Sequence, residues 1–266
     1  MKRQVILFTT CKSNFDNELK KYILNPLYSD IKNNDKYEFY VLYNKPTKND
    51  NDLFLDDINI ISFDNEYLTQ KYNTVFFTPD DNFVSNYNTY YMIYEFYLMH
   101  HEYDHYWIIE DDVYFTSDWN NLFKYYENTN YDLICTHYYN KRSFPWNYNY
   151  INKILGKQYF NDDTFGLAFL PIARLSNNLI NTIINSDLYY NVFQEVQVGS
   201  IVKRFNFSID LMKNFHVDLS KIDDINRGSC SWGGYSDVII KYSFLCMNNT
   251  IVHPIKKNQY DLFDNI

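Results

Sequence analysis

The chain has 266 residues, 46% of them hydrophobic and 20% aromatic, with a formal net charge of -9. This length and apolar content support one large domain or two small ones and argue against a disordered or collagen-like chain. The negative charge argues against gripping nucleic acid by counterion release, and Cys11, Cys135, Cys230 and Cys246, widely scattered with no CxxC pair, suggest neither a zinc site nor a disulfide framework.

Gln4 to Thr9 reads as a buried strand, followed by a polar loop from Thr10 to Phe15 and a helix over Asn17 to Leu24 that Pro26 ends. Tyr37 to Tyr43 and Ile58 to Phe63 are the next strands, and the three- and four-residue spacing of Tyr90, Ile93, Tyr94, Tyr97 and Leu98 predicts a helix over Asn86 to His101. A strand over Tyr106 to Glu110, a helix over Trp119 to Tyr126 and a strand over Tyr131 to Thr136 follow. His137 to Phe160, with Arg142, Pro145, Trp146 and Gly156, reads as an irregular aromatic wall. The remaining elements are a strand over Phe165 to Leu170, helices over Ser176 to Asn185 and Gln194 to Phe205, and a short strand over Ile251 to Lys256. Strands alternating with helices predict an α/β fold with the sheet at its centre.

Val5 to Phe8, after Met1-Lys2-Arg3, is too short for a signal-peptide core, and no segment is apolar for long enough to span a membrane. The expected location is cytoplasmic, with peripheral membrane contact left open.

Tyr106-Trp107-Ile108-Ile109-Glu110-Asp111-Asp112-Val113-Tyr114-Phe115 delivers three consecutive carboxylates between apolar flanks. Such groups repel one another and lose hydration unless donors or a cation receive them. A hard divalent cation, Mg2+ or Mn2+, prefers carboxylate oxygen and bridges to phosphates. The triplet falls where a central strand leaves the sheet, the edge at which open α/β sheets bind ligands. An ordinary acidic turn at a strand end has the same local composition.

In the order of its elements, and in Tyr103 to Val113 specifically, the chain resembles nucleotide-sugar glycosyltransferases of the GT-A fold, with Glu110-Asp111-Asp112 at the position of their acidic DxD motif. The resemblance implies a Rossmann-type mixed sheet flanked by helices in a single domain, with a nucleotide-binding half over about residues 1–115 and an acceptor-binding half over about 116–266. It implies hexosyl transfer, of the inverting kind, from a nucleotide-diphosphate sugar to a hydroxyl of a glycan, lipid or protein, with Mn2+ or Mg2+ as cofactor and no nucleic-acid partner. Asp112 and His253 are then the metal ligands, while Glu110 faces the ribose or a metal-bound water. Asp111 reaches the nucleotide or sugar, Thr9, Thr10 and Cys11 hold the nucleoside, and Lys256 pairs with the diphosphate.

Inverting transfer needs a base for the acceptor hydroxyl. Glu195, at the start of a helix, is the first candidate, with Asp162 and Asp163 as competitors. An acid at a helix start also stabilises that helix without any catalysis. Trp146 and Trp232 are candidates for stacking on a sugar, Asn88 for a nucleotide contact or a helix cap, and Asp223 to Gly234 for a lid. Two other readings remain open: a nucleotidyltransferase, although Thr10 to Asn14 contains no glycine, and a silent glycan-binding scaffold.

Overall fold

The computed structural model describes residues 3–11, 14–72, 89–139, 160–161, 163–186, 194–215, 249–255 and 259–260. Asn86, Asn88, Trp146, Asp162, Asp223 to Gly234 and Lys256 lie outside the described residues, as does most of the stretch from His137 to Phe160.

In chain order the elements are β1 (Gln4–Cys11), α1 (Asn17–Leu19), a π-helical turn (Lys20–Leu24), α2 (Asn25–Ile31), β2 (Tyr37–Lys45), β3 (Asn59–Asp64) and α3 (Asn65–Tyr72). Next come α4 (Thr89–Met99), β4 (His105–Glu110), β5 (Tyr114–Phe115), α5 (Trp119–Tyr126), β6 (Leu133–Cys135), β7 (Tyr138–Tyr139), β8 (Leu167–Ala168) and β9 (Ile172–Ser176). The last are α6 (Asn177–Ile184), α7 (Gln194–Arg204), β10 (Ile209–Leu211), a 3-10 turn (Lys213–Phe215) and β11 (Ile251–Val252).

Among the described residues seven strands form one mixed sheet in the order β10-β6-β9-β4-β1-β2-β3. Strand β9 runs antiparallel to both β4 and β6, and the other pairings are parallel. This is the flanked mixed sheet expected from the sequence. Because side chains alternate across a strand, β1 and β4 feed both faces. Val5, Leu7, Tyr106 and Ile108 enter one core, with α4, α6 and α7. Ile6, Phe8, Trp107 and Ile109 enter the other, with α1, α2 and α5. In α5 the buried Trp119, Leu122, Phe123 and Tyr126 recur at i, i+3, i+4 and i+7, each contributing roughly 1.5–3 kcal/mol by burial. Parallel pairing of β1 with β4 sets Gln4 opposite His105 and Thr9 opposite Glu110, so both strands end at the same edge.

Two expectations are corrected, and two elements are additional to those expected. The first helical segment does not stop at Pro26 but continues to Ile31. Proline lacks an N–H and its ring crowds the carbonyl four residues back. The π-helical turn before it, in which Asn25 N–H reaches back to Lys20 O, widens the coil and relieves that crowding. The strand expected over Phe165 to Leu170 shrinks to β8, and the longer strand is β9, all five of whose residues are buried.

Arg174 hides β9 in the sequence, because a buried strand does not normally carry a guanidinium. Here one terminal nitrogen donates to Tyr126 O at 2.7 Å and the other to Thr129 Oγ1 at 2.9 Å and Thr129 O at 3.2 Å. The group closes the carboxyl end of α5 with its charge on the negative end of the helix dipole. Finally, α3 and β10 were not expected. The first has a mostly polar surface, and the second is a three-residue edge strand, partly buried throughout.

Candidate functional site

Strand β4 delivers Glu110 to the sheet edge and a tight turn follows, closed by Val113 N–H donating to Glu110 O at 3.1 Å. Glu110 N–H is itself fixed on Pro171 O at 2.8 Å. After the turn, β5 pairs antiparallel with β11, Val252 opposite Tyr114. Thr116 N–H donates to Thr250 O at 3.0 Å and Ile255 N–H to Asp112 O at 2.8 Å, so the late segment is fastened along the acidic turn. His253 is carried between these two anchors. Its Nε2 lies 3.1 Å from Asp112 Oδ1, and its ring meets Phe169 edge-on with centroids 5.3 Å apart.

The ligand-bearing atoms of Glu110, Asp112 and His253 lie within 4.8 Å of one another. Two carboxylates and an imidazole in that space form a donor set suited to a hard or borderline divalent cation. Their electrostatics fit the same role. Burial, and then the charge of Asp112, push the Glu110 carboxyl up to about 8; His253 opposes this, and Glu195 and Asp111 add to it. A bound dication reverses the sign of that local field. The structure thus brings Asp112 and His253 together and adds Glu110 to their group.

Asp111 points elsewhere. It is 8% exposed, and Thr10 Oγ1 donates to its Oδ2 at 2.6 Å, while Asn14 Nδ2 donates to Oδ1 over a longer 3.4 Å. Thr9, Thr10 and Cys11 are all buried, and Thr10 and Cys11 continue β1 rather than starting the loop after it. Thr9 Oγ1 donates weakly to Ile109 O at 3.4 Å, and Cys11 O accepts from the N–H groups of Asn14 and Phe15, both at 3.0 Å.

Glu195 stands in the first turn of α7 and is buried. Its charge acts on the Glu110 carboxyl and also helps raise the Tyr90 hydroxyl and the Cys135 thiol, after burial in each case. It is therefore within electrostatic reach of the acidic turn. Asp163 is exposed in a turn, its N–H donating to Asn161 Oδ1 at 2.9 Å, and nothing among the described residues links it to Glu110. Trp107 packs in the core beside Phe123, their ring centroids 5.0 Å apart.

Two features escaped the sequence reading. Tyr90, buried on α4, donates its hydroxyl to Leu170 O at 2.9 Å near both Glu110 and Glu195. Gly166 and Gly199 meet backbone to backbone: a Cβ on Gly166 would stand 2.2 Å from Gly199 O, and one on Gly199 would stand 2.6 Å from Gly166 C. Ser200 Oγ ties the crossing by accepting from Gly166 N–H at 3.1 Å and donating to Gly166 O at 3.2 Å. The signal for this contact was available, since Gly199 interrupts a helix in a chain with six glycines in all.

No protein-family model and no curated protein matches the sequence. Solved structures do match. An active-site mutant of LgtC aligns with a TM-score of 0.50 at 11% identity, over 95% of this chain and 87% of that one. The galactosyltransferase LgtC in complex with donor and acceptor sugar analogues aligns with a TM-score of 0.48 at 10% identity, over 95% of this chain and 87% of that one. The bifunctional glycosyltransferase WbbM aligns with a TM-score of 0.49 at 12% identity over 79% of this chain, which spans 39% of the WbbM chain. At these identities the likeness is one of fold.

Proposed function

We propose that this chain, which has the GT-A fold, is a metal-dependent glycosyltransferase moving a sugar from a nucleotide-diphosphate donor to a hydroxyl of a glycan, lipid or protein. The observation that carries this reading is the convergence of Glu110, Asp112 and His253 at the shared end of β1 and β4. The fold shared with LgtC supports it.

In this reading Asp112, His253 and Glu110 hold Mn2+ or Mg2+. When bound, the cation supplies positive charge for the departing diphosphate. The nucleoside lies against the end of β1, from Thr9 to Cys11, and Lys256 pairs with the diphosphate. Residues 1–115 then form the donor half of a single domain and 116–266 the acceptor half. Glu195 is the base of an inverting displacement. The acceptor oxygen bonds to the anomeric carbon, the bond from that carbon to the diphosphate breaks, and the hydroxyl proton passes to the Glu195 carboxylate. Gly166, just before β8, and Gly199, in α7, let the helix that carries this group lie close against β8.

The test is release of nucleoside diphosphate and transfer of sugar across a panel of UDP- and GDP-sugars, with Mn2+ and with chelator. Metal-dependent turnover of at least one donor, abolished in Asp112→Asn, is expected. Turnover unaffected by that substitution, or none with any donor, refutes the reading.

A further inference from the structure

We infer that Asp111 is a positioning residue, one that clasps the end of β1 to the acidic turn and so couples nucleotide binding to cation binding. This rests on the donor and cation sites proposed above. The three acids of the triplet divide between two tasks. Glu110 and Asp112 converge with His253, whereas both oxygens of Asp111 receive donors from the β1 side, Thr10 Oγ1 at 2.6 Å and Asn14 Nδ2 at 3.4 Å.

The Thr10 bond is buried, short and charge-assisted, the class of hydrogen bond that best fixes two segments to one another. It joins residues 101 positions apart in sequence. The turn has other supports that do not involve β1: Val113 N–H on Glu110 O, Glu110 N–H on Pro171 O and Ile255 N–H on Asp112 O. Cation ligands therefore keep their mutual geometry without the clasp. What the clasp adds is their placement relative to the end of β1. A nucleotide seated there stabilises the turn in its cation-binding position, and a cation at the turn stabilises the end of β1. Such linkage is reciprocal and commonly worth 5- to 150-fold in affinity.

The experiment measures Mn2+ affinity by calorimetry with and without saturating UDP, and again with GDP, correcting for association of Mn2+ with the nucleotide in solution. The readout is the ratio of the two affinities, which is insensitive to a loss falling equally on both states. In the wild-type chain the ratio is expected to exceed 5 with at least one nucleotide. Thr10→Val removes the donor while keeping the shape and should lower the ratio at least fivefold or to unity, and Thr10→Ser should restore it. Asn14→Asp, at an exposed position, sets a second carboxylate against Asp111 and should lower the ratio in a chain that folds even if Thr10→Val does not.

A wild-type ratio retained in folded Thr10→Val, or in Asn14→Asp, overturns the inference. Either result leaves the glycosyltransferase reading standing, because the diphosphate then reaches the cation without help from the clasp. A wild-type chain that binds neither Mn2+ nor either nucleotide overturns both.

Discussion

Gly199→Ala adds one methyl group at the place where α7 crosses β8. That carbon would lie 2.6 Å from both Gly166 C and Leu167 N and 2.7 Å from Gly166 O, all of them backbone atoms. Ordinary contact begins at 3.4 Å, so helix and strand must separate by about 0.8 Å. The separation strains the two Ser200 bonds to Gly166 and the Tyr138 hydroxyl's bond to Gly199 O, at 3.1, 3.2 and 3.0 Å. Overpacking of this kind costs about 1–3 kcal/mol, and each weakened bond about 0.5–1.5 kcal/mol. Alanine's better helix propensity returns about 1 kcal/mol. The net expectation is a loss of roughly 1.5–6.5 kcal/mol, or about 3–26 °C in Tm at this chain length. Urea unfolding and calorimetry measure it. A Gly199→Ala chain as stable as wild type, or more so, refutes the close crossing.

Arg174→Met keeps the volume but leaves the carbonyls of Tyr126 and Thr129 without their buried donor, and should cost about 2–4 kcal/mol in urea unfolding. Glu110 has a folded pKa of about 8 against an ordinary 4.5, so between those values the folded, metal-free chain binds more protons than the unfolded one. Stability contributed by this group is therefore fully present below about pH 4.5 and is lost as pH rises toward 8. Glu110→Gln, freed of that titration, should unfold at a higher temperature than wild type at pH 8 in chelator, with the gap narrowing toward pH 5. Glu195→Gln should lower kcat by roughly 100- to 10,000-fold while leaving nucleotide and Mn2+ affinities near wild type, as measured by initial rates and calorimetry.

The parts of the fold legible in the sequence are those whose signal is local. Strands β1 and β4 are apolar on both faces because both faces are covered, and α5 carries a clean helical stripe. Strand β9 was hidden because the terminal nitrogens of Arg174 donate to carbonyls 43 to 48 positions away, a fact no local window contains. Continuation of the first helical segment through Pro26 depended on a π-helical turn, for which the residues give no periodic cue. At the site, the acidic triplet marked itself by its incongruity among apolar neighbours. Which of its members point together could not be read from adjacency: the turn after Glu110 sends Asp111 toward Thr10 and Asp112 toward His253. The meeting of Asp112 with His253 requires the pairing of β5 with β11, two residues from each strand, too short to announce itself in sequence.

In the proposed site Glu110, Asp112 and His253 share one cation beside a nucleotide. A crystal structure of the full chain with Mn2+ and UDP or GDP, using anomalous scattering at the manganese edge, locates that cation. One anomalous peak is expected in contact with Asp112, His253 and the diphosphate oxygens, with Glu110 at or next to it and Asp111 still on Thr10. A nucleotide bound at the end of β1 with no manganese at the acidic turn, or manganese held elsewhere, would contradict it.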